Sequence, residues 1–205
     1  MTHRSNRLIS SIKPFQSFQL CLRVDSPGTQ LAKRAGVARF SPPGVPKAGK
    51  WDFEPIDFEV DTPADILPKL RRRGLDPSQR TLVLLEGVVM YLTPPAADAT
   101  IRAARSLGCA CSILVMDEAP PSAVKRMAWR PWAKLVKLLF RLTAGERFRI
   151  CGWEDDELQP YLQARGYGTV RSCVTIRDTG LAKGIPRHLM AGLAFPARIV
   201  VAEAT

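Results

Sequence analysis

The hydrophobic pattern alternates between short apolar runs and helical stripes. Phe18 to Val24 alternates apolar with polar and ends in Asp25-Ser26-Pro27-Gly28, which predicts a strand running into a turn. Thr29 to Val37 then reads as a short helix closed at Gly36, and Ser41 to Pro46 as a loop. Trp51 to Phe58 is a strand candidate with Asp57 near its end. Asp65 to Arg73 is a helix stopped by Gly74. The near-continuous apolar run Thr81 to Leu85 has the composition of a central parallel strand covered on both faces, and it breaks off at Glu86-Gly87. Pro94 to Ser106 predicts the next helix and Cys111 to Met116 the next strand, ending in Asp117 and Glu118. Residues 118–150 interrupt the rhythm with Pro120-Pro121 and a basic, aromatic stretch, read as a helical insertion capping the sheet edge. Asp155 to Ala164 is a helix, and Thr169 to Ile176 and Ala197 to Ala202 are late strands.

Strands alternating with helices, with acids recurring at strand ends, mean an α/β domain whose mostly parallel sheet is joined by right-handed crossovers. Open sheets of this kind bind ligands beyond the carboxyl ends of their strands, so Asp25, Asp57 and Glu86 become candidate site residues. Taken singly, each also fits a strand-end acid facing water or forming a turn.

Composition narrows the class. A chain of 205 residues with 46% hydrophobic content can bury a core as one domain. No apolar run approaches the roughly 20 residues needed to cross a bilayer, and the N-terminus leads into no signal-peptide core, so the expectation is a cytoplasmic protein without membrane partners. Five cysteines, an odd number without zinc spacing, are expected to be buried free thiols. The formal charge of +11 attracts anions but does not choose among them. With no nucleic-acid motif in the chain, the basic residues are read as solvated faces.

Several pieces together resemble the bacterial branch of the leucine carboxyl methyltransferase family, class I S-adenosylmethionine-dependent methyltransferases with a Rossmann-like sheet. Val24-Asp25-Ser26-Pro27-Gly28-Thr29-Gln30 followed by Lys33 is similar to the family's second-strand motif, and Phe53 to Phe58 (Phe-Glu-Pro-Ile-Asp-Phe) to its third-strand motif. Thr81 with Glu86 to Leu92 (Glu-Gly-Val-Val-Met-Tyr-Leu) is similar to its most recognisable block. Gly145 to Phe148 and Leu162 to Tyr167 resemble its C-terminal part. The resemblance implies S-adenosyl-L-methionine as cofactor. Asp25 would accept hydrogen bonds from the ribose hydroxyls and Asp57 one from the adenine amino group, with Phe58 completing that pocket. Glu86, Gly87 and Tyr91 would line the methionine half. The implied reaction is methyl transfer to a carboxylate or hydroxyl oxygen of a small molecule. A carboxylate acceptor is favoured, because the two histidines, His3 and His188, lie in poorly patterned segments and no general base stands out. No metal is implied and no catalytic residue is assigned.

The same resemblance predicts a departure. The family's first strand and its Gly-x-Gly-x-Asp turn have no counterpart between Met1 and Gln19, so residues 1–17 are read as a non-matching arm before an α/β domain over 18–205. The chain is therefore expected to be a truncated or frame-disrupted member in which the strands carrying Asp25 and Glu86 lack their common neighbour; either it is impaired in activity or another segment replaces that strand. The other reading open from sequence is a non-catalytic α/β module binding an anionic ligand or nucleic acid.

Overall fold

The computed structural model describes residues 20–25, 27, 28, 30, 31, 35, 50–128, 151–175 and 197–205. The expected arm 1–17, most of the expected helix 29–37 and most of the 118–150 insertion lie outside them. The protein divides into two compact units, with the boundary between Leu75 and Asp76.

In the first unit, β1 (Leu20–Asp25) and β2 (Lys50–Pro55) form a parallel pair, with Leu20 opposite Lys50 and Asp25 opposite Pro55. Helix α1 (Pro63–Arg72) follows. Its start is written locally: the Thr62 backbone N–H donates to the Asp65 carboxylate at 3.0 Å, and Pro63 takes the first position, where no N–H is needed. Lys69, Arg71 and Arg72 in the last turn complement the helix dipole. Ile66 and Leu70 are its buried residues, and Arg73, just past its end, donates to Glu54 of β2 at 2.6 Å.

The second unit is a four-stranded sheet in the order β3 (Leu82–Leu85), β4 (Ile113–Glu118), β6 (Arg198–Ala204), β5 (Tyr167–Thr175). Helix α2 (Pro94–Ser106) matches its predicted bounds. Thr93 caps it, accepting from the Ala96 N–H at 3.4 Å, and Pro94 opens it. Its buried face is Ala96, Ala97, Thr100, Ile101, Ala103 and Ala104, small enough for close packing. Helices α3 (Pro121–Ala128) and α4 (Asp155–Gln163) complete the described elements. The core runs through Val89, Ile101, Leu114, Met116, Leu162 and Val200.

Two expectations need correction, and the mostly parallel sheet is not one of them. β3 and β4 are parallel, and β4 and β5 both lie antiparallel to β6, so β3, β4 and β5 share one direction and β6 alone opposes them; β1 and β2 form a parallel pair of their own. Strand β3 is not covered on both faces: Leu84 is 60% exposed and Leu82 36%. Among the described residues it is the end strand of its sheet, and β1 pairs only with β2. All five cysteines are free, as expected, but none is buried, and Cys111 and Cys173 are exposed.

One polar cluster sits inside the second unit. Glu118, the last residue of β4 and not the start of an insertion, is fully buried and paired with Arg198 at the start of β6. Arg198 also binds Asp155 and donates to the Trp153 carbonyl at 2.6 Å, while the Trp153 N–H donates to Glu118 at 3.1 Å. The chain crosses this cluster at Gly152, where a Cβ would stand 2.0 Å from the Ala119 carbonyl oxygen, so only glycine fits.

Candidate functional site

In the first unit the β1–β2 register sets Asp25 level with Pro55, and Asp57 follows two residues later at the same, carboxyl end of the pair. The strands are laced together near that end by Gln30, a buried residue whose amide donates to the Arg23 carbonyl at 2.8 Å and to the Glu54 carbonyl at 3.3 Å. Its Oε1 is the buried side-chain acceptor left without a partner among the described residues. Asp57 is exposed and shapes the turn 57–61: its Oδ1 accepts from Glu59 N–H at 3.0 Å, and its carbonyl accepts from Val60 and Asp61. The turn-forming role read as the plain alternative for Asp57 is thus present. Phe58, half-buried, lies inside that turn.

In the second unit Glu86 directly follows β3 and is exposed. Gly87 takes φ +62°, the left-handed region that disfavours side chains, so the chain can turn from strand into a short 3₁₀ segment, Val89–Tyr91. Space is not the constraint, because a Cβ there would meet nothing nearer than the Tyr91 ring at 4.0 Å. Val89 and Met90 are buried and anchor the segment, and the Met90 carbonyl accepts from Cys151 N–H at 3.0 Å. Tyr91 is left 42% exposed. Glu86, Gly87 and Tyr91 therefore share one turn, whereas Asp25, Asp57 and Phe58 belong to the other unit.

Sequence reasoning saw Asp117 as a strand-end acid and gave it no role. It ends up beside the Glu86 turn, where its Oδ1 accepts the Gly87 N–H at 2.8 Å. Burial raises its carboxyl above the ordinary value; the Glu86 charge adds to this, and the Gly87 N–H partly opposes it. The available signal was position: an acid at the carboxyl end of the strand that follows the Glu86 strand.

A cavity of about 410 Å³ opens in the same unit between the first turns of α2 and α3 and the start and end of α4. Trp153 and Tyr161 line it with ring centroids 4.3 Å apart, and the Arg165 guanidinium lies 3.3 Å from the Tyr161 ring centroid. Arg165 is neutralised by Asp98, which also accepts from the Tyr161 hydroxyl at 3.1 Å. Cys151 borders the cavity, and burial raises its thiol pKa, keeping it protonated and unreactive at neutral pH.

Residues 21–105 match the leucine carboxyl methyltransferase family. A Mycobacterium avium protein named as a candidate S-adenosyl-L-methionine-dependent methyltransferase is 31% identical over 142 residues, covering 63% of this chain and 41% of its own length. The chain thus spans about two fifths of the curated relatives it matches. Among solved structures, a DUF574-family protein from Streptomyces avermitilis superposes with TM-score 0.62 at 18% identity, over 91% of this chain and 65% of that one. The O-methyltransferase NcsB1 of neocarzinostatin biosynthesis, solved with S-adenosylmethionine and 2-hydroxy-5-methyl naphthoic acid, superposes with TM-score 0.52 at 15% identity, over 90% and 41%. At these identities the structural likenesses carry the fold alone. The motif-bearing strands lie inside the matched region, so this part of the chain is similar to the leucine carboxyl methyltransferase family, and the described structure has the fold of class I methyltransferases.

Proposed function

We propose that the protein binds S-adenosylmethionine through its strand-end acids and serves methyl transfer to an oxygen of a small-molecule acceptor, a carboxylic acid before an alcohol. The observation that carries this reading is local charge. In a chain of formal charge +11, the carboxyl ends of both parallel strand pairs carry acids: Asp25 and Asp57 in one unit, Glu86 and Asp117 in the other. A cationic ligand with hydroxyl and amino donors suits such edges, and an anion does not.

The residues present fit the group. Asp25 and Asp57 supply acceptors for ribose and adenine donors, with Phe58 as apolar neighbour. The orphaned Oε1 of Gln30 is a further acceptor near the same strand ends. Glu86 offers an exposed carboxylate to the methionine ammonium, and Gly87 and Tyr91 border it with open backbone and an exposed ring. When bound, the cofactor supplies a methyl group activated on a sulfonium, open to in-line attack by an acceptor oxygen.

The chain's own contribution is orientation and exclusion of water rather than proton transfer, because a carboxylate acceptor is already ionised at neutral pH. The basic stretch that begins at Lys125 and Arg126 of α3 provides charge for an anionic acceptor. The test is isothermal titration of S-adenosylhomocysteine into the purified chain and an Asp25→Ala variant. Saturable one-to-one binding that the variant abolishes is expected. No binding by the folded protein refutes the proposal, and salt-sensitive binding to RNA in its place would make the protein a nucleic-acid module.

A further inference from the structure

We propose that Asp117 is a positioning residue that holds the Glu86-Gly87 turn in its ligand-binding conformation; this rests on the cofactor reading of that turn. Leu85 pairs with Met116, so the next position along the two parallel strands sets Glu86 beside Asp117. The β3–β4 ladder ends there, although β4 continues, pairing with β6 as far as Glu118 opposite Arg198. The Asp117 carboxylate takes the Gly87 N–H at 2.8 Å, and the chain turns away at φ +62°. One side chain therefore satisfies the Gly87 backbone donor, two residues past the strand, and ties down the turn that carries the exposed Glu86.

The base of this device is packed into the sheet and its top is exposed. Asp117 is held by its ladder partner Ile199 and, one residue on, by the buried Glu118–Arg198 pair and the Trp153 N–H. Glu86 and Gly87 are both exposed, and glycine has the widest backbone freedom of any residue. Without the Asp117 acceptor the turn would sample other conformations, and a ligand binding Glu86 would bear the cost of ordering it.

The test uses the full chain with Asp117→Ala, Asp117→Asn and, as a fold control, Ile101→Val, which trims a fully buried core side chain. Two readouts are taken well below the melting temperature: amide exchange at Gly87 by NMR, and S-adenosylhomocysteine affinity by titration. The expected result is faster Gly87 exchange and about tenfold weaker binding in Asp117→Ala, the loss of one well-placed hydrogen bond. Asp117→Asn, which keeps an acceptor oxygen, should stay within about threefold of the native chain in both readouts. Ile101→Val should lower the melting temperature and leave both unchanged. Native affinity in Asp117→Ala overturns the proposal, as does Asp117→Asn matching Asp117→Ala. Protected Gly87 exchange in the native chain with no ligand binding overturns it too, but by refuting the cofactor reading and not the hydrogen bond.

Discussion

Replacing Arg198 by Met would remove a guanidinium that is 4% exposed while keeping most of its apolar volume. Its partner Glu118, fully buried, would retain one described donor, the Trp153 N–H. Breaking a buried ion pair from one side costs about 3–5 kcal/mol, because the remaining charge is buried without compensation. Against a typical domain stability of about 5–15 kcal/mol, the variant should still fold with a far lower denaturation midpoint. The penalty should also depend on pH. Burial already lifts the Glu118 carboxyl above its ordinary value near 4.5, and the contacts with Arg198 oppose that rise, so their removal lifts it further. A group raised on folding contributes stability that is complete below its unfolded pKa and is lost as pH rises through the folded value. The difference between variant and native chain should therefore be smallest near pH 4.5 and grow towards neutrality. Urea titrations at several pH values, with Glu118→Gln/Arg198→Met as the double variant, measure it. The double variant should recover most of the neutral-pH loss, because no buried charge is left. A loss below about 1 kcal/mol at pH 7, or one that does not change with pH, would refute the argument.

Gly152→Ala should cost about 1–3 kcal/mol by chemical denaturation, because its Cβ would press on the Ala119 carbonyl beside the same cluster. Leu84→Lys, at a 60% exposed position of the sheet's end strand, should change stability by less than about 0.5 kcal/mol and reduce self-association in concentration-dependent light scattering.

Much of the order of elements could be read from the chain because its signals are local. Helix α2 appears at its predicted bounds because Thr93 and Pro94 write its start and an alanine-rich stripe writes its buried face. Glu86, Gly87 and Tyr91 fall in one turn because a single motif puts them within six residues of one another. Asp57 was legible in both of its readings, and the structure shows the turn-forming one. Asp117 and Gln30 were not legible as site neighbours, since each acts on backbone groups of another strand: Asp117 lies 30 positions from Gly87, and Gln30 lies 24 from Glu54.

What the sequence determined by itself was therefore the identity of the strands and helices, their caps, the acids at the strand ends and the family resemblance those motifs carry. These depend on periodicity, on backbone preferences and on neighbours a few residues away. Only the tertiary structure decided the reversed direction of β6, which strands stand at sheet ends, the burial of Glu118 against Arg198 and the grip of Asp117 on Gly87. Each of these depends on which distant segment closes against a strand, and a residue's own neighbours in the chain do not encode whether the opposite edge is met by another strand, a buried charge or water.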